Sequence, residues 1–409
     1  MNPFLVILGW VSGISLVVLP PSYFSWFREG IGVPDGSAVL IGGTIFVFGL
    51  STYITSRLRR HDIERNAYIS TFFIVGVLFL GLFAILLFSR VYYSRSFLIA
   101  AFVTTLVVLY VASFLQGRRF PLVYGVLPSA YLGALQSNGA IQFVELSSSD
   151  EPLDEFDGLI AHYEGLSPKW QAVAADATSR GYLVYGDTEF LESLTGRVPL
   201  ASLDAFQAKE FKLRPVYAGT KRVIDILVSI VTLPFLLLLT IVVASLIKAE
   251  SSGPVFYRQV RVGQGGKTFT ILKFRSMVAG ADQNGHDFAQ VNDPRVTRIG
   301  RFMRRSRLDE LPQLINVLRG EMSLIGPRPE QVGFVEEFQE KIPFYAYRHM
   351  VKPGISGWAQ VSHGYAACLS SAQEKLEYDL YYAKHCSFWL DTLITLRTFR
   401  TILTGFGVR

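Results

Sequence analysis

Four stretches of the chain carry no charged side chain, and each is long enough to cross a lipid bilayer. They cover residues 1–27, 36–56, 66–89 and 96–117, so each has at least 21 residues. An α-helix needs about 20 apolar residues to span a hydrocarbon core about 30 Å thick. The sequence therefore predicts four transmembrane helices within residues 1–119, because the short loops leave no room for a soluble fold around them.

Charge is distributed unevenly along the chain. Residues 1–116 contain 7 basic and 4 acidic side chains, whereas the remaining 293 residues contain 32 and 29. The second part is as rich in charge as an ordinary soluble protein. Two cysteines, Cys368 and Cys386, cannot build a disulfide framework, and no Cys/His cluster has the spacing of a zinc site. We expect a membrane module followed by a globular part with reduced thiols.

The loop arginines predict the orientation of the membrane module. Six of them lie either between the second and third helices or after the fourth, and the other two loops hold only three. The six are Arg57, Arg59, Arg60, Arg65, Arg118 and Arg119. The positive-inside rule then places both ends of this module, and everything after residue 117, in the cytoplasm.

Residues 120–215 alternate between strand-like and helix-like segments. Strands are predicted at 122–127, 158–162 and 182–185, with helices at 169–177 and from Asp187. This alternation is typical of a small, open, Rossmann-like α/β module. The first strand is followed by Pro128 and Ser129 rather than by G-x-G-x-x-G, so a structural or regulatory module is favoured over a nucleotide site.

A fifth apolar run begins the third segment, residues 216–409. Residues 223–247 are interrupted only by Asp225 and Pro234, and basic residues flank both ends. Basic flanks favour the cytoplasm on both sides, and a central proline bends a helix. We therefore predict that residues 222–248 form a re-entrant helix that enters the membrane, breaks at Pro234 and returns to the same side.

The chain then becomes strongly basic. Residues 255–330 contain 13 Lys or Arg and 7 Asp or Glu, and five arginines recur at every third position. These are Arg295, Arg298, Arg301, Arg304 and Arg307. On one helix they would form a cationic stripe facing a polyanion, for which anionic headgroups or a nucleotide diphosphate fit better than nucleic acid. A simple solvated face is the alternative.

An acidic pair, Asp309 and Glu310, directly follows this stripe. Pro312 is tolerated only in the first turn of a helix, so the pair should lie at a helix N-terminus. Of two carboxylates among arginines, one can attack a phosphorus atom while the other holds a divalent cation on phosphate oxygens. A helix cap with a surface acid is the plainer reading of such a pair.

Three further features relate to phosphate binding. Lys273 and Arg275 lie two residues apart in a strand-like run and should share one face. Arg328 lies between Pro327 and Pro329, which suits a preorganised phosphate ligand or an ordinary turn. The glycine-rich residues 263–266 lie between two strand-like runs, so they predict a hairpin turn rather than a phosphate cradle.

Residues 221–409 resemble the catalytic domain of the bacterial sugar transferases, the monotopic phosphoglycosyl transferases. The preceding helices and α/β module resemble the long undecaprenyl-phosphate hexose-phosphotransferase branch of this family. The matching motifs are S-G-P-V-F-Y-R-Q at 252–259, K-F-R-S-M at 273–277, S-R-L-D-E-L-P-Q at 306–313, G-P-R-P at 326–329 and K-P-G-I-S-G-W-A-Q at 352–360.

The resemblance implies a bacterial inner-membrane enzyme that moves a hexose 1-phosphate from a UDP-sugar to undecaprenyl phosphate and releases UMP. Asp309 would be the nucleophile through an aspartyl-phosphosugar intermediate, and Glu310, with Asp309 beside it, would hold Mg²⁺. Lys273, Arg304 and Arg328 would surround the phosphates, and Arg275 is assigned to them as well. The implied partners are the two substrates and the lipid bilayer, with a homo-oligomer left open and nucleic acid excluded.

Two features depart from the family pattern. Members often have Ser-Pro in the membrane run, where this chain has Leu233-Pro234. Many carry V-N-G-R after the A-Q pair, whereas residues 361–365 contain no arginine. The contacts to the uracil or to the donor phosphates in that segment therefore stay open.

Two other classes of protein fit the sequence less well. A non-catalytic scaffold would bind anionic lipid through the arginines, but the intact Asp309 and Glu310 argue against it. A transporter would carry ionisable residues inside the first four helices, and none is there.

Overall fold

The computed structural model describes most of the chain and separates it into two compact units, Met1–Leu194 and Thr195–Arg409. The described residues are 3–27, 34, 37–58, 67–90, 92–119, 122–128, 141–149, 151–162, 166–203, 211, 213–278, 280, 293–363 and 369–404.

The first unit begins with four apolar helices. They are α1 (Pro3–Ser22), α2 (Ser37–Leu58), α3 (Ala67–Phe88) and α4 (Arg95–Arg119), and a π-helical turn at Tyr23–Phe27 extends α1. Helix α1 packs on α2 and α4, and α3 packs on the same two helices. Leu40, Val75 and Phe97 lie in the shared core, whereas Phe46 and Phe88 are 69% and 85% exposed. Large apolar side chains on the outside as well as the inside are typical of helices in lipid.

The predicted helices therefore all form. Among the described residues, α2, α3 and α4 are long and apolar enough to cross a membrane, and a fourth such helix lies in the second unit. The side chains of α1 are described only from Gly13 onwards. The loop arginines Arg59, Arg60 and Arg65 lie outside the described residues, so the cytoplasmic orientation stays a prediction.

A small α/β module completes the first unit. Its elements are β1 (Leu122–Val126), β2 (Ile141–Glu145), β3 (Gly158–Ala161), α5 (Pro168–Ser179), β4 (Val184–Gly186) and α6 (Asp187–Thr195). All paired strands are parallel, in the order β2-β1-β3-β4. Leu159 and Ile160 of β3 belong to separate buried clusters, so both faces of the sheet are covered, as parallel sheets require. The α/β prediction is confirmed, although strand β2 was not predicted.

The second unit contains the remaining elements. They are α7 (Pro215–Glu250), β5 (Phe256–Val262), β6 (Thr268–Phe274), α8 (Arg298–Arg305), α9 (Gln313–Arg319), β7 (Ser323–Ile325), α10 (Val332–Lys341), β8 (Gly354–Ser356), α11 (Trp358–Ser362), α12 (Leu369–His385) and α13 (Phe388–Thr404). Strands β5 and β6 form an antiparallel hairpin, which confirms the predicted turn at residues 263–266. Strands β7 and β8 pair in parallel.

The two compact units meet between Leu194 and Thr195. Gly196 accepts a hydrogen bond from the indole N–H of Trp358 at 2.8 Å, and the N–H of Val198 donates to the carbonyl of Glu377 at 3.1 Å. These bonds tie the segment to α11 and α12, so residues 195–203 pack with the second unit, and the functional division at residue 215 stays a prediction.

Helix α7 has 36 residues and continues through Pro234, so the predicted break does not interrupt the helix. Leu233, Leu236 and Leu239 pack against a core that also contains Phe274. This packing on either side of the proline holds the helical backbone, although a proline removes one N–H and disfavours a helix interior.

The predicted arginine stripe is wrong as a single surface. Helix α8 contains only Arg298, Arg301, Arg304 and Arg305, while Arg295 precedes it and is paired with Asp293 at 2.7 Å. A step of three residues turns a helix by about 300°, so positions three apart drift around it rather than forming one line. Within α8, Arg298, Arg301 and Arg305 are therefore exposed on one side, whereas Arg304 turns towards Ser276.

Candidate active site

The acidic pair lies in a tight turn between two helices. Residues Leu308–Glu310 form a short 3₁₀ segment, and Pro312 caps the following helix α9. Arg307, just before the turn, has φ 58° and ψ 15°, a left-handed conformation that is uncommon outside glycine. Such strain of roughly 1–3 kcal/mol is maintained only where the surroundings determine the conformation. The turn buries both Asp309 and Glu310.

Glu310 is the centre of a cluster of positive charges. Its Oε1 accepts hydrogen bonds from Nζ of Lys273 at 2.8 Å and from Nη2 of Arg328 at 2.7 Å. Its Oε2 lies 3.7 Å from Nη1 of Arg307. Three cations therefore surround one buried carboxylate, and they bring the strand β6, the loop after β7 and the acidic turn together.

The surrounding cations also control the ionisation of Glu310. Burial alone would raise the pKa of Glu310, but the charges of Arg328, Lys273 and Arg307 together outweigh it and hold that pKa well below its usual value. Burial in turn lowers the pKa of Lys273. Glu310 is therefore an anion at neutral pH.

Asp309 has a different environment from its neighbour. Its carboxylate makes no hydrogen bond or ion pair with any residue that the structure describes, although the residue is only 7% exposed. Burial, with the negative charge of Glu310 second, raises the pKa of Asp309 to about 6, against the opposing charges of Lys273, Arg304 and Arg328. Two adjacent carboxylates thus have opposite shifts, and only one of them is unpaired.

The four predicted phosphate ligands do not share one location. Lys273 and Arg328 contact Glu310, and the charge of Arg304 acts on Asp309 while its Nε donates to Oγ of Ser276 at 2.9 Å. Arg275 lies one residue beyond the end of β6, and its side chain does not contact the acidic pair but points to the end of helix α7.

The guanidinium of Arg275 is buried against the end of helix α7. It donates to the carbonyls of Ser252 at 2.8 Å and Ser251 at 2.9 Å. Unsatisfied carbonyls at the end of a helix need such donors, so Arg275 caps α7 and its assignment to the phosphates is not supported.

Several positioning residues were missed by sequence reasoning. The buried amide of Asn316 in α9 donates to the carbonyl of Thr270 at 2.8 Å and accepts from the N–H of Leu272 at 3.1 Å. This fixes β6, and hence Lys273, against the helix that follows Glu310. An asparagine inside an apolar helical stretch, where it is a poor helix former, was the only available signal.

The loop that carries Arg328 is held by a second, deeper network. Arg348 donates to the carbonyl of Arg328 at 2.9 Å and to Oδ2 of Asp379 at 2.7 Å, and both side chains of this ion pair are 2% exposed. Arg261 donates to the carbonyl of Pro329 at 3.1 Å. Arg328 itself also donates to Oε1 of Gln360 at 3.1 Å. Hydrogen bonds therefore fix both the backbone of Arg328 and its guanidinium.

The first turns of helix α7 contact both supports of the site. Arg222 donates to the carbonyls of Val317 at 2.5 Å and Leu318 at 2.9 Å, at the end of α9. Oδ1 of buried Asp225 accepts from the N–H of Leu324 in β7, at 3.0 Å. The apolar helix is therefore joined to the two elements that flank the acidic turn and Arg328.

The acidic pair also fits a magnesium ion of the kind that phosphate substrates bring. No group of three His, Cys, Asp or Glu that could hold a metal occurs in the part of the chain that is described. Mg²⁺ is commonly bound by one or two carboxylates together with phosphate oxygens and waters. The unpaired Asp309 carboxylate and Oε2 of Glu310 supply that donor set.

The catalytic segment belongs to a known family. The sequence profile described as bacterial sugar transferase matches residues 216–405. A UDP-N-acetylgalactosamine-undecaprenyl-phosphate N-acetylgalactosaminephosphotransferase from Aeromonas hydrophila is 42% identical over 372 residues, which are 90% of this chain and 88% of that protein. This chain is a member of the bacterial sugar transferase family. Because the match includes the segments before residue 216, it belongs to the long branch.

Other relatives match a shorter part of the chain. A UDP-glucose:undecaprenyl-phosphate glucose-1-phosphate transferase from Klebsiella pneumoniae is 43% identical over 188 residues, 46% of this chain and 40% of that protein. An enzyme of the same name from Caulobacter vibrioides is 41% identical over 186 residues, 45% of this chain and 70% of its own length. The family profile spans residues 216–405, which include Asp309, Glu310 and the basic residues around them.

The buried pair below Arg328 predicts a large loss of stability. Replacing Arg348 with Gln leaves the buried carboxyl group of Asp379 without the guanidinium that it pairs with, which should lower the free energy of unfolding by about 3 kcal/mol. In detergent micelles, the urea midpoint of tryptophan fluorescence should fall accordingly. The control is Lys341→Gln, because Lys341 and Glu337 are about half exposed, and this change should cost under about 1 kcal/mol. Equal midpoints for the two variants would contradict a structural role for the Arg348 pair.

Proposed function

We propose that this chain is an undecaprenyl-phosphate sugar phosphotransferase that moves a hexose 1-phosphate from a UDP-sugar to undecaprenyl phosphate and releases UMP. One observation carries the proposal. Asp309 presents a buried carboxylate without a hydrogen-bond partner among the described residues, beside Glu310, which is paired with Lys273 and Arg328. A carboxylate that attacks an anionic phosphate needs an oxygen lone pair that no hydrogen bond occupies. Positive charges around it reduce the repulsion between the two anions.

The reaction then proceeds by two displacements at the same phosphorus. An oxygen of Asp309 attacks the phosphorus that bears the sugar, a new P–O bond forms, and the P–O bond to UMP breaks with its electron pair leaving on UMP. The phosphate oxygen of undecaprenyl phosphate next attacks this phosphorus. The bond to Asp309 breaks and the carboxylate is regenerated. One diphosphate is exchanged for another, so the enzyme has chiefly to neutralise and align crowded phosphates.

The basic residues would do that work. Lys273, Arg304, Arg307 and Arg328 place four positive charges around the carboxylates, and side-chain exposures of 27% for Arg307 and 31% for Arg328 leave both guanidiniums accessible. Arginine matches phosphate oxygens with paired N–H donors. Glu310 holds these cations in place before the substrate arrives, which avoids reorganisation during the reaction.

Magnesium is the metal that we propose for this site. Asp309 and Glu310 would hold it together with substrate oxygens, and when bound it would supply charge neutralisation on the diphosphate. Oε2 of Glu310 lies 3.7 Å from Nη1 of Arg307, beyond hydrogen-bond distance, so this oxygen would be available to hold the metal.

Helix α7 would enter the membrane without crossing it. Near its start, Lys221 donates to Oδ2 of Asp391 at 2.7 Å, and at its end the carbonyls of Ser251 and Ser252 accept from Arg275. One globular domain therefore bonds both ends of the helix. A membrane about 30 Å thick between those ends would separate them.

The outer face of α7 supports the same topology. Phe235, Leu238 and Ile241 are between 67% and 71% exposed, whereas Leu236 and Val243 are buried in the domain. Helix α7 would thus have one face in contact with lipid and the other in contact with the domain. The domain would then lie on the cytoplasmic surface of a bacterial inner membrane. Pro234, near the middle, would bend the helix towards the surface.

The donor class follows from the relatives. The relative that matches most of the chain is named for UDP-N-acetylgalactosamine, and others are named for UDP-glucose. We propose a UDP-hexose donor and use UDP-N-acetylgalactosamine first in the tests below. The product would begin the lipid-linked assembly of an exopolysaccharide or an O-antigen type of glycan.

Loss of the nucleophile should abolish the reaction. Asp309→Asn keeps the shape of the side chain but removes its charge, so UMP release with undecaprenyl phosphate and the donor should fall by at least about 10³-fold. Glu337→Gln, a change at a half-exposed acid, is the matched control and should keep normal turnover. UMP release at the normal rate from Asp309→Asn would disprove the assignment.

The acid limb of the pH profile should report Asp309. A carboxylate nucleophile must be ionised, so single-turnover UMP release without undecaprenyl phosphate should be constant above the pKa of about 6 and fall about tenfold per pH unit below it. Removing a positive charge makes ionisation harder, so Arg304→Gln should move this limb to higher pH. A rate that stays constant down to pH about 4.5 would rule out Asp309 as the titrating nucleophile.

Removal of divalent metal should stop turnover. Because no softer metal site occurs among the described residues, EDTA should silence the enzyme and added Mg²⁺ should restore it, whereas Zn²⁺ should not. Full activity in EDTA would refute the magnesium assignment.

Single cysteines should reveal the topology of helix α7. In a Cys368→Ser, Cys386→Ser background, Val216→Cys and Ser252→Cys should both resist an impermeant maleimide added to intact cells, because both flanks would face the cytoplasm. Ser94→Cys, in the loop predicted to lie outside, is the positive control. Labelling of Ser252→Cys but not of Val216→Cys from outside would show that α7 crosses.

A further inference from the structure

Helix α8 has an outer face that the transferase site does not use. Arg298, Arg301, Phe302 and Arg305 are all exposed, and Phe302 is 65% exposed. At about 100° per residue, these four positions fall within an arc of about 100°. On the opposite side, Gly300 and Met303 are buried in the domain. The helix therefore presents three guanidiniums around one aromatic ring.

These three arginines are unlike the others nearby. The side chains of Arg298, Arg301 and Arg305 make no hydrogen bond or ion pair with any residue described. By contrast, Arg304 bonds Ser276, Arg307 lies beside Glu310, and both turn towards the acidic pair. The helix thus separates two sets of arginines, one for the active site and one that faces outward. Of the outward set, Arg298 interacts electrostatically with the carboxylate of Glu250, so the face carries a surplus of positive charge rather than three isolated charges.

The outward face begins where helix α7 ends. The carboxylate of Glu250, the last residue of α7, accepts from the N–H of Arg298 at 2.7 Å and from the N–H of Ile299 at 3.1 Å. One and two turns earlier in α7, Leu246 and Val242 are 45% and 57% exposed. The basic face therefore continues the apolar face that we assign to lipid, at the point where that helix would leave the membrane.

We propose that the outer face of α8 binds the headgroups of anionic phospholipids at the bilayer surface. Arginines pair with phosphate oxygens, and an aromatic ring between them suits the boundary between headgroups and acyl chains. A surplus of positive charge next to a lipid-facing helix is complementary to an anionic leaflet and not to neutral lipid. The face would fix the rotation of the domain about α7 and hold the acidic turn close to the lipid phosphate.

This inference rests on the membrane topology proposed for α7, but not on the chemistry of Asp309. It is tested on the full chain in lipid nanodiscs, with an environment-sensitive fluorophore at Phe302→Cys in the Cys368→Ser, Cys386→Ser background. The nanodiscs contain doxyl-labelled phosphatidylcholine as quencher, either alone in phosphatidylcholine or with about 30% phosphatidylglycerol. We expect strong quenching that increases when phosphatidylglycerol is present.

The decisive comparison is between two triple variants with equal net charge. Arg298→Gln, Arg301→Gln and Arg305→Gln together should reduce the quenching by at least about half and abolish its dependence on phosphatidylglycerol. The control triple changes exposed cations elsewhere, Lys169, Arg180 and Lys341, to Gln and should behave as the unmodified chain. Equal quenching in the two triples, or none with either lipid, would overturn the proposal.

A second readout separates this inference from the proposed function. In detergent, without a bilayer, the α8 triple variant should release UMP with unchanged KM for the UDP-sugar. A KM raised about tenfold or more would mean that these arginines bind the donor, which overturns the lipid assignment. Failure of the transferase assay in every variant would count against the proposed function alone, since quenching needs no turnover.

Discussion

The catalytic unit is organised around one buried carboxylate, that of Glu310. Isolated, such a charge would be costly to bury, but Lys273 and Arg328 donate to the same oxygen and Arg307 lies close to the other. These partners come from three separate parts of the chain. Lys273 and Arg328 pair with Glu310, whereas its neighbour Asp309 has no hydrogen-bond partner among the described residues. This difference is the basis for proposing Asp309 as the nucleophile and Glu310 as the residue that holds the cations.

Support for this cluster reaches from the membrane helix to the deep core. Arg222 and Asp225 of α7 bond the backbone on either side of the acidic turn and of the Arg328 loop, and Arg348 bonds the backbone of Arg328 from below. The long apolar helix α7 is therefore part of the frame that holds the acidic turn and the Arg328 loop. Under the proposed topology, the depth of α7 in the membrane would therefore affect the geometry of the site.

The sequence indicated the main parts of this structure but not their connections. Charge-free runs longer than a bilayer predicted the helices, and Pro312 predicted a helix start beside the acidic pair, because both depend on local chemistry. The burial of that pair depends on distant partners and was not predicted. Arg275 was assigned to phosphate because alternation along a strand was extended one residue too far, past the end of β6. Asn316 and Arg348 act through contacts 46 and 20 residues away, and no local pattern reports such distances.

The central claim is that Asp309, rather than water or the lipid phosphate, makes the first bond to phosphorus. Peptide mass spectrometry tests this directly, on enzyme incubated with UDP-N-acetylgalactosamine in the absence of undecaprenyl phosphate and quenched in acid. The account predicts one added N-acetylhexosamine phosphate, located on Asp309, that disappears when undecaprenyl phosphate is supplied. Stoichiometric UMP release with an unmodified Asp309 peptide, or with the sugar phosphate on another residue, would contradict it.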